Sequence, residues 1–201
     1  MDNHHGKNVR INKDGSVPAD NPFAGKAGAL PEIWNFGHRS AQGATLAPEG
    51  TLWVHEHGLQ GGDEINLPRP SANFGWPEIT HGENYGGGMV GQGLSSKAGM
   101  EQPAHHWVPS IAPSGMAFLT SERYGKAWQV NLSAGSLKRS CRDRIELSKP
   151  FGGKVVCEHT LLANVGERIR DVRQGPDGLL YVLTDSSNGR LVRLLLEQAG
   201  K

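Results

Sequence analysis

One octapeptide pattern occurs twice. Ala47-Pro48-Glu49-Gly50-Thr51-Leu52-Trp53-Val54 and Gly175-Pro176-Asp177-Gly178-Leu179-Leu180-Tyr181-Val182 share a Pro-acid-Gly turn followed by Leu, an aromatic and Val, and the second copy starts 128 residues after the first. That interval accommodates three units of roughly 40 to 45 residues, the usual length of a four-stranded propeller blade. Between the copies, Gly115 to Thr120, Ala127 to Leu132, Leu137 to Leu147 and Lys154 to Leu162 read as the four strands of a middle unit. The stretch from Arg168 to Leu196 reads as a last unit around a Ser186-Ser187-Asn188-Gly189 turn. The sequence therefore predicts an all-β chain with about three blades' worth of strands. The 28 glycines, 12 prolines and sparse aromatics agree, since they suit short strands joined by tight turns.

Several function classes are excluded at this level. No segment approaches the 18 or so unbroken apolar residues of a membrane helix. Lys plus Arg at 21 nearly cancels Asp plus Glu at 20, which argues against a general electrostatic grip on nucleic acid or acidic lipid. Cys141 and Cys157 flank a turn-like Lys149-Pro150-Phe151-Gly152-Gly153. They face each other across a hairpin either as a disulfide, which needs an oxidising compartment, or as two separate thiols. Met1 is followed by Asp-Asn-His-His, without the basic start and apolar core of a secretory signal.

Earlier in the chain, residues 4 to 12 read as a short strand closed by Lys13-Asp14-Gly15-Ser16, and residues 13 to 31 as an extended loop. Ile33 to Phe36 is a strand leading into GHRSAQG, Gly37 to Gly43. His4 and His5 lack a third ligand nearby and read as solvated. From Glu78 to His106 runs one long irregular piece with Tyr85-Gly86-Gly87-Gly88 near its start, and a loop of that length inside a compact β domain tends to be either functional or disordered.

The stretch from Trp53 to Trp76, WVHEHGLQGGDEINLPRPSANFGW, carries the densest chemistry. An alternating strand breaks at Gly58, a loop with Gly61 and Gly62 delivers the carboxylates Asp63 and Glu64, and a strand follows from Glu64 to Leu67. Glycines permit close approach, and carboxylates with bare carbonyls are what a hard cation prefers. Two readings stand side by side: a metal-assisted site, or a hairpin with a solvated acidic tip. Arg168 and Arg170 pose a similar choice. Two apart on a strand, they leave the same face, and they repel unless an anion sits between them or Glu167 and Asp171 screen them.

The string HEHGLQGGDEINLPRPSANFGWP, with GHRSAQG before it and WVPSIAPSGMAF (Trp107 to Phe118) and ERIRDV (Glu167 to Val172) after it, resembles the soluble aldose sugar dehydrogenases of the glucose/sorbosone dehydrogenase family. These are six-bladed β-propellers that use pyrroloquinoline quinone (PQQ) and calcium. The resemblance runs from about His5 to Leu196 and covers the later half of the family's propeller, so it implies that residues 1–201 form a partial propeller domain whose N-terminal blades are absent. It implies oxidation of aldoses at the anomeric carbon to lactones, an unidentified electron acceptor, a periplasmic or secreted full-length protein, and as partner either the missing N-terminal half or a second copy in a homodimer.

By that resemblance PQQ is held by Arg39, Ser40, Tyr85, Ser136, Leu137, Lys138, Arg168, Ile169 and Arg170. The calcium that touches it rests on the carbonyls of Gly58 and Leu59, a second calcium on the Glu64 carboxylate and the Phe74 carbonyl, and Trp107 walls the sugar cleft. Departures accompany the match. Ser40 stands where the family usually has Asn, Leu59 where Pro is common, and the Cys141 to Cys157 hairpin is unlike the family's usual sequence. The histidine base and a cofactor-binding glutamine lie in a motif upstream of these residues, so no residue here is assigned as catalytic, His57 being only the nearest substitute. The alternatives are a propeller fragment without chemistry and a calcium-dependent carbohydrate-binding module.

Overall fold

The computed structural model describes residues 1–138, 142–147, 155–162 and 166–196. Apart from one turn of 3-10 helix at Lys126–Trp128, the regular structure among them is strand. The strands are β1 (Lys7–Val9), β2 (Ile33–Phe36), β3 (Ala41–Leu46), β4 (Leu52–Glu56), β5 (Asp63–Asn66), β6 (His105–Trp107), β7 (Pro113–Phe118), β8 (Leu132–Ser136), β9 (Arg142–Leu147), β10 (Val155–Leu161), β11 (Ile169–Gln174), β12 (Leu180–Thr184) and β13 (Leu191–Arg193). The chain divides into two compact units. The first comprises Met1–Ala41 and Glu56–Ser110, the second Gln42–His55 and the chain from Ile111 onward.

The second unit is built of propeller blades. β7 to β10 form an antiparallel sheet in chain order, with Phe118 opposite Leu132, Leu132 opposite Ile145, and Ile145 opposite Glu158. Burial falls across it: every residue of β7 and β8 is buried, whereas β10 is largely exposed. That gradient marks an inner and an outer strand of one blade. β11, β12 and β13 form the next antiparallel sheet. Its buried side contributes Ile169, Val172, Leu180 and Val182 to a core that also holds Leu119 and Tyr124.

The middle blade corrects one sequence expectation. Ala127 to Leu132 is not its second strand. Gly125, at φ 87°, starts the 3-10 turn, Val130 sits at φ 67°, and β8 begins only at Leu132. Val130 N donates to Leu119 O at 2.6 Å and Leu119 N to Asn131 O at 3.0 Å, so the hairpin closes through a left-handed residue. A β-branched residue there is uncommon enough that periodicity alone favours a strand.

The first unit has fewer strands and a polar interior. β1 pairs with β2, and β5 with β6, where Asp63 lies opposite Trp107 and Glu64 opposite His106. β2 matches its expected bounds; β5 starts one residue earlier than expected, at Asp63. Asn35, His38, Glu56, Asp63 and Asn66 are all buried beside the apolar Ile33, Ile65, Phe74 and Ile79. Cys157 is exposed on β10, and Cys141, hence the expected pairing of the two, lies outside the described residues.

One buried polar group is diagnostic of the second unit's core. Tyr124 Oη accepts the Leu180 amide at 2.7 Å and donates to Leu194 O at 2.8 Å. Tyr124→Phe leaves a buried amide without its acceptor, and is expected to lower the free energy of unfolding by about 1–3 kcal/mol in a urea titration. An unchanged midpoint and slope overturn this account of the core.

Candidate functional site

The first unit's site is organised by Glu56, the last residue of β4 and only 4% exposed. Its Oε1 accepts from Asn66 Nδ2 at 2.9 Å and lies 2.8 Å from His38 Nδ1, and its Oε2 accepts the amides of Arg39 at 2.6 Å and Ser40 at 3.2 Å. Burial works against ionisation here. The His38 ring and the two amides outweigh it and hold the carboxyl below its ordinary range. A carboxylate only accepts, so His38 donates from Nδ1, and its Nε2 lies 3.0 Å from Asn8 Nδ2 and 3.1 Å from Asn35 Oδ1. The ring stacks on Phe74, centroids 4.4 Å apart.

Beyond Glu56 the chain makes the glycine turn. Asp63 Oδ1 accepts the Gly58 amide at 2.9 Å, and Oδ2 accepts Ser110 Oγ at 2.7 Å. At 1% exposure Asp63 is a buried tie across the turn, which corrects the reading of a solvated acidic tip. The turn also needs its glycines. A Cβ on Gly58 would stand 2.1 Å from Gly61 O, and one on Gly62, at φ 72°, 2.4 Å from Gly82 N.

Arg39, Glu56, Gly58, Glu64, Phe74 and Trp76 line one cavity of about 10 Å³, the size of a single small ion or water. Arg39 donates to His57 O at 3.1 Å, and its guanidinium lies 5.5 Å from the Trp76 ring centre. Burial, then the charges of Glu56 and Asp63, push the Glu64 carboxyl up to about 7, against a bond from Asn66. Among the described residues no three acidic, His or Cys side chains are arranged to hold a metal. A cation at this cavity would therefore take Glu64 and main-chain oxygens, a donor set that suits calcium. Gly58, expected at one calcium, and Glu64 and Phe74, expected at a second, all line this single cavity. Leu59 is not among the residues lining the cavity.

The remaining first-unit candidates differ in exposure. Ser40 is tied through its main chain, its carbonyl accepting the His57 amide at 3.0 Å. Tyr85 is 71% exposed on its loop. Trp107 is 3% exposed and stands edge-on to His105 at 4.7 Å.

In the second unit Ser136 is fully buried and donates its hydroxyl to Ile111 O at 2.6 Å. The amides of Leu137 and Lys138 donate to Ala112 O and Ile111 O at 3.0 and 3.1 Å, and Lys138 is exposed. Ile169 lies in the core, with its carbonyl accepting Ser114 Oγ at 2.6 Å. Arg168 and Arg170, both half-exposed, each place Nη2 2.9 Å from the same oxygen, Asp185 Oδ2. Screening by Glu167 and Asp171 is thereby corrected: Glu167 pairs with Arg190, and Asp171 with Arg173.

Sequence reasoning missed Glu56, His38 and Asp185. For Asp185 a signal existed, an acid closing the strand that pairs with β11. His38 and Glu56 carry no local signal, since an ordinary strand-end acid and a lone His become partners only when two segments meet.

Consecutive antiparallel sheets whose burial falls from inner to outer strand define a β-propeller protein. The chain belongs to the glucose/sorbosone dehydrogenase family, whose model matches residues 1–193. It is 45% identical to the aldose sugar dehydrogenase YliI of Escherichia coli over 96% of this chain and 52% of that protein. A solved glucose dehydrogenase shares 46% identity with a TM-score of 0.91, covering 98% of this chain and 56% of that one. A PQQ-bound aldose sugar dehydrogenase from Streptomyces coelicolor gives a TM-score of 0.67 at 26% identity, over 94% of this chain and 50% of that one. The chain thus spans about half the length of the relatives it matches.

Two outcomes are expected of this site. With Glu64 raised from 4.5 to about 7, the folded chain holds a proton that the unfolded chain releases, so metal-free stability falls as pH rises through that window. Glu64→Gln removes this loss, and in chelator the variant's melting temperature should gain on the wild type from about pH 4.5 to 7; a constant difference contradicts the assignment. Gly62→Ala and Gly15→Ala both pay about 1–3 kcal/mol for a left-handed backbone, at φ 72° and 86°, but only Gly62 also forces a Cβ to 2.4 Å from Gly82 N; circular-dichroism melts should show the larger loss for Gly62→Ala, and equal losses overturn the close approach.

Proposed function

We propose that this chain supplies the cation turn and basic rim of a PQQ- and calcium-dependent enzyme that oxidises aldoses at the anomeric carbon to lactones. It would form one six-bladed propeller with the remainder of a full-length family member. The observation that carries the proposal is the convergence of Arg168 and Arg170 on one carboxylate oxygen. Two guanidiniums on a single monoanion leave net positive charge and spare, half-exposed donors on one strand face, a seat for a polycarboxylate.

PQQ, when bound, supplies an ortho-quinone that accepts the hydride leaving the sugar's anomeric carbon. Calcium, when bound, supplies a Lewis acid for the oxygen that gathers negative charge. The chain's own residues bind and orient. Arg168 and Arg170 meet carboxylates of the cofactor, and Asp185 holds both guanidiniums at one oxygen in the absence of the cofactor. Arg39, steadied by His57 O and the Trp76 ring, adds a cation beside the cavity. Gly58 offers its carbonyl at a turn that Asp63 holds closed, and Glu64 and Phe74 line the same cavity. Tyr85 and Lys138, both exposed, are available to the cofactor's rim. The proton of the anomeric hydroxyl goes to a base in a motif that these 201 residues do not contain, and none of the nine histidines is given that role.

The 201-residue chain should accordingly bind PQQ weakly and turn over little or no sugar. Titrating PQQ in the presence of calcium should quench tryptophan emission, and Arg168→Ala with Arg170→Ala should weaken the apparent affinity about tenfold or more, since each charge-assisted bond is worth about 1.5–3 kcal/mol. An equal response from both proteins overturns the cofactor assignment. Sugar binding that needs calcium but not PQQ would instead favour a carbohydrate-binding module.

A further inference from the structure

The segment that bears Tyr85 is anchored on one residue of the glycine turn through both its main chain and its side chain. Gln60, in the glycine turn, exchanges main-chain hydrogen bonds with Glu83: Gln60 N donates to Glu83 O at 3.0 Å, and Glu83 N to Gln60 O at 3.3 Å. Its carboxamide adds two more. Nε2 donates to Glu83 Oε1 at 2.5 Å, and Oε1 accepts the Gly86 amide at 3.3 Å. These bonds bracket Tyr85, one anchor lying two residues before it and the other one residue after.

The bracketed segment is stiff in itself. Asn84 N donates to Gly88 O at 2.9 Å, Gly87 N to Asn84 O at 2.8 Å, and Asn84 Nδ2 to Met89 O at 2.7 Å, closing residues 84–89 into a compact turn. Its base is pressed against the glycine turn as well, for a Cβ on Gly82 would stand 2.4 Å from Gly61 O. Tyr85 itself is largely exposed, so packing of its ring does not explain why it is held where it is. Main-chain seating and the Gln60 carboxamide do.

We propose that Gln60 is a positioning residue, coupling the Gly58–Gly62 turn to the Tyr85 loop so that a cation bound at the turn and the orientation of Tyr85 depend on one another. This rests on the reading of Gly58 as a calcium ligand and of Tyr85 as a cofactor contact. The physical basis is linkage: a cation that immobilises the carbonyls beside Gln60 also immobilises the residue from which the loop hangs, and an ordered loop repays the turn in the same measure. A carboxamide suits the place because it offers a donor to Glu83 and an acceptor to Gly86 at once, which neither a carboxylate nor an amine can do.

Hydrogen exchange read by mass spectrometry over residues 80–94, with calcium binding followed separately by calorimetry, tests the proposal on the 201-residue chain. In chelator, Gln60→Ala should exchange at Glu83 to Gly87 about five- to thirtyfold faster than the wild type, as expected for losing one or both of two hydrogen bonds worth about 1 kcal/mol each, with the melting temperature little changed. The exchanged pair Gln60→Glu with Glu83→Gln restores a carboxylate facing a carboxamide and should recover wild-type protection, whereas Gln60→Glu alone sets two carboxylates against each other and should not. Calcium should slow exchange of the loop in the wild type and the exchanged pair, but not in Gln60→Ala. Unaltered loop exchange in metal-free Gln60→Ala, or failure of the exchanged pair to rescue it, overturns the positioning role. Calcium heat without any response of the wild-type loop overturns the coupling. Absence of calcium heat refutes instead the reading of the turn as a calcium site, and the metal-free comparison then decides the role of Gln60 by itself.

Discussion

A carboxylate taken almost wholly out of solvent must find its partners within the protein, and Glu56 is the residue on which the first unit's architecture depends. It gathers His38, the amides of Arg39 and Ser40, and Asn66, so that GHRSAQG, the end of β4 and β5 are drawn to one point. Removing any donor would leave a buried charge short of a partner, a larger penalty than the bond itself is worth. Because His38, Asn8 and Asn35 extend the network to β1 and β2, the polar interior is cross-linked rather than merely tolerated. That construction places Arg39 and the glycine turn with little freedom.

The same carboxylate shapes the electrostatics next to it. Held ionised, Glu56 raises the cost of a second charge on Glu64, and burial with Asp63 raises it further. The first unit thus gathers carboxyl groups and Arg39 around a small cavity, and in the second two arginines share Asp185. A net charge of +1 conceals both. On the proposed reading, the first would take a divalent cation and the second a polyanion.

Much of the fold was legible because its signals are local. Leu-aromatic-Val after Pro-acid-Gly yields β4 and β12, the Ile33–Phe36 alternation yields β2, and Gly58, Gly61 and Gly62 mark a turn whose backbone strands come within contact of one another. The error at Ala127 to Leu132 has a local cause too, since Val130 takes a left-handed conformation that its β-branched side chain disfavours and that no pattern announces. Arg168 and Arg170 were legible as a same-face pair, but not their partner. Asp185 comes opposite them only through the pairing of β11 with β12.

The sequence by itself determined the repeat, the β class, the glycine turn and the list of charged residues available for a site, because each follows from spacing of 2 along a strand or from backbone freedom at a single residue. Tertiary structure alone decided which of those charges are buried, which are paired and which are left over. Asp63 and Glu64 are neighbours in the chain, yet one is a satisfied structural tie and the other a carboxyl pushed up to about 7. Desolvation and the distance to Glu56 make that difference, and both are set by segments that meet only in the folded chain.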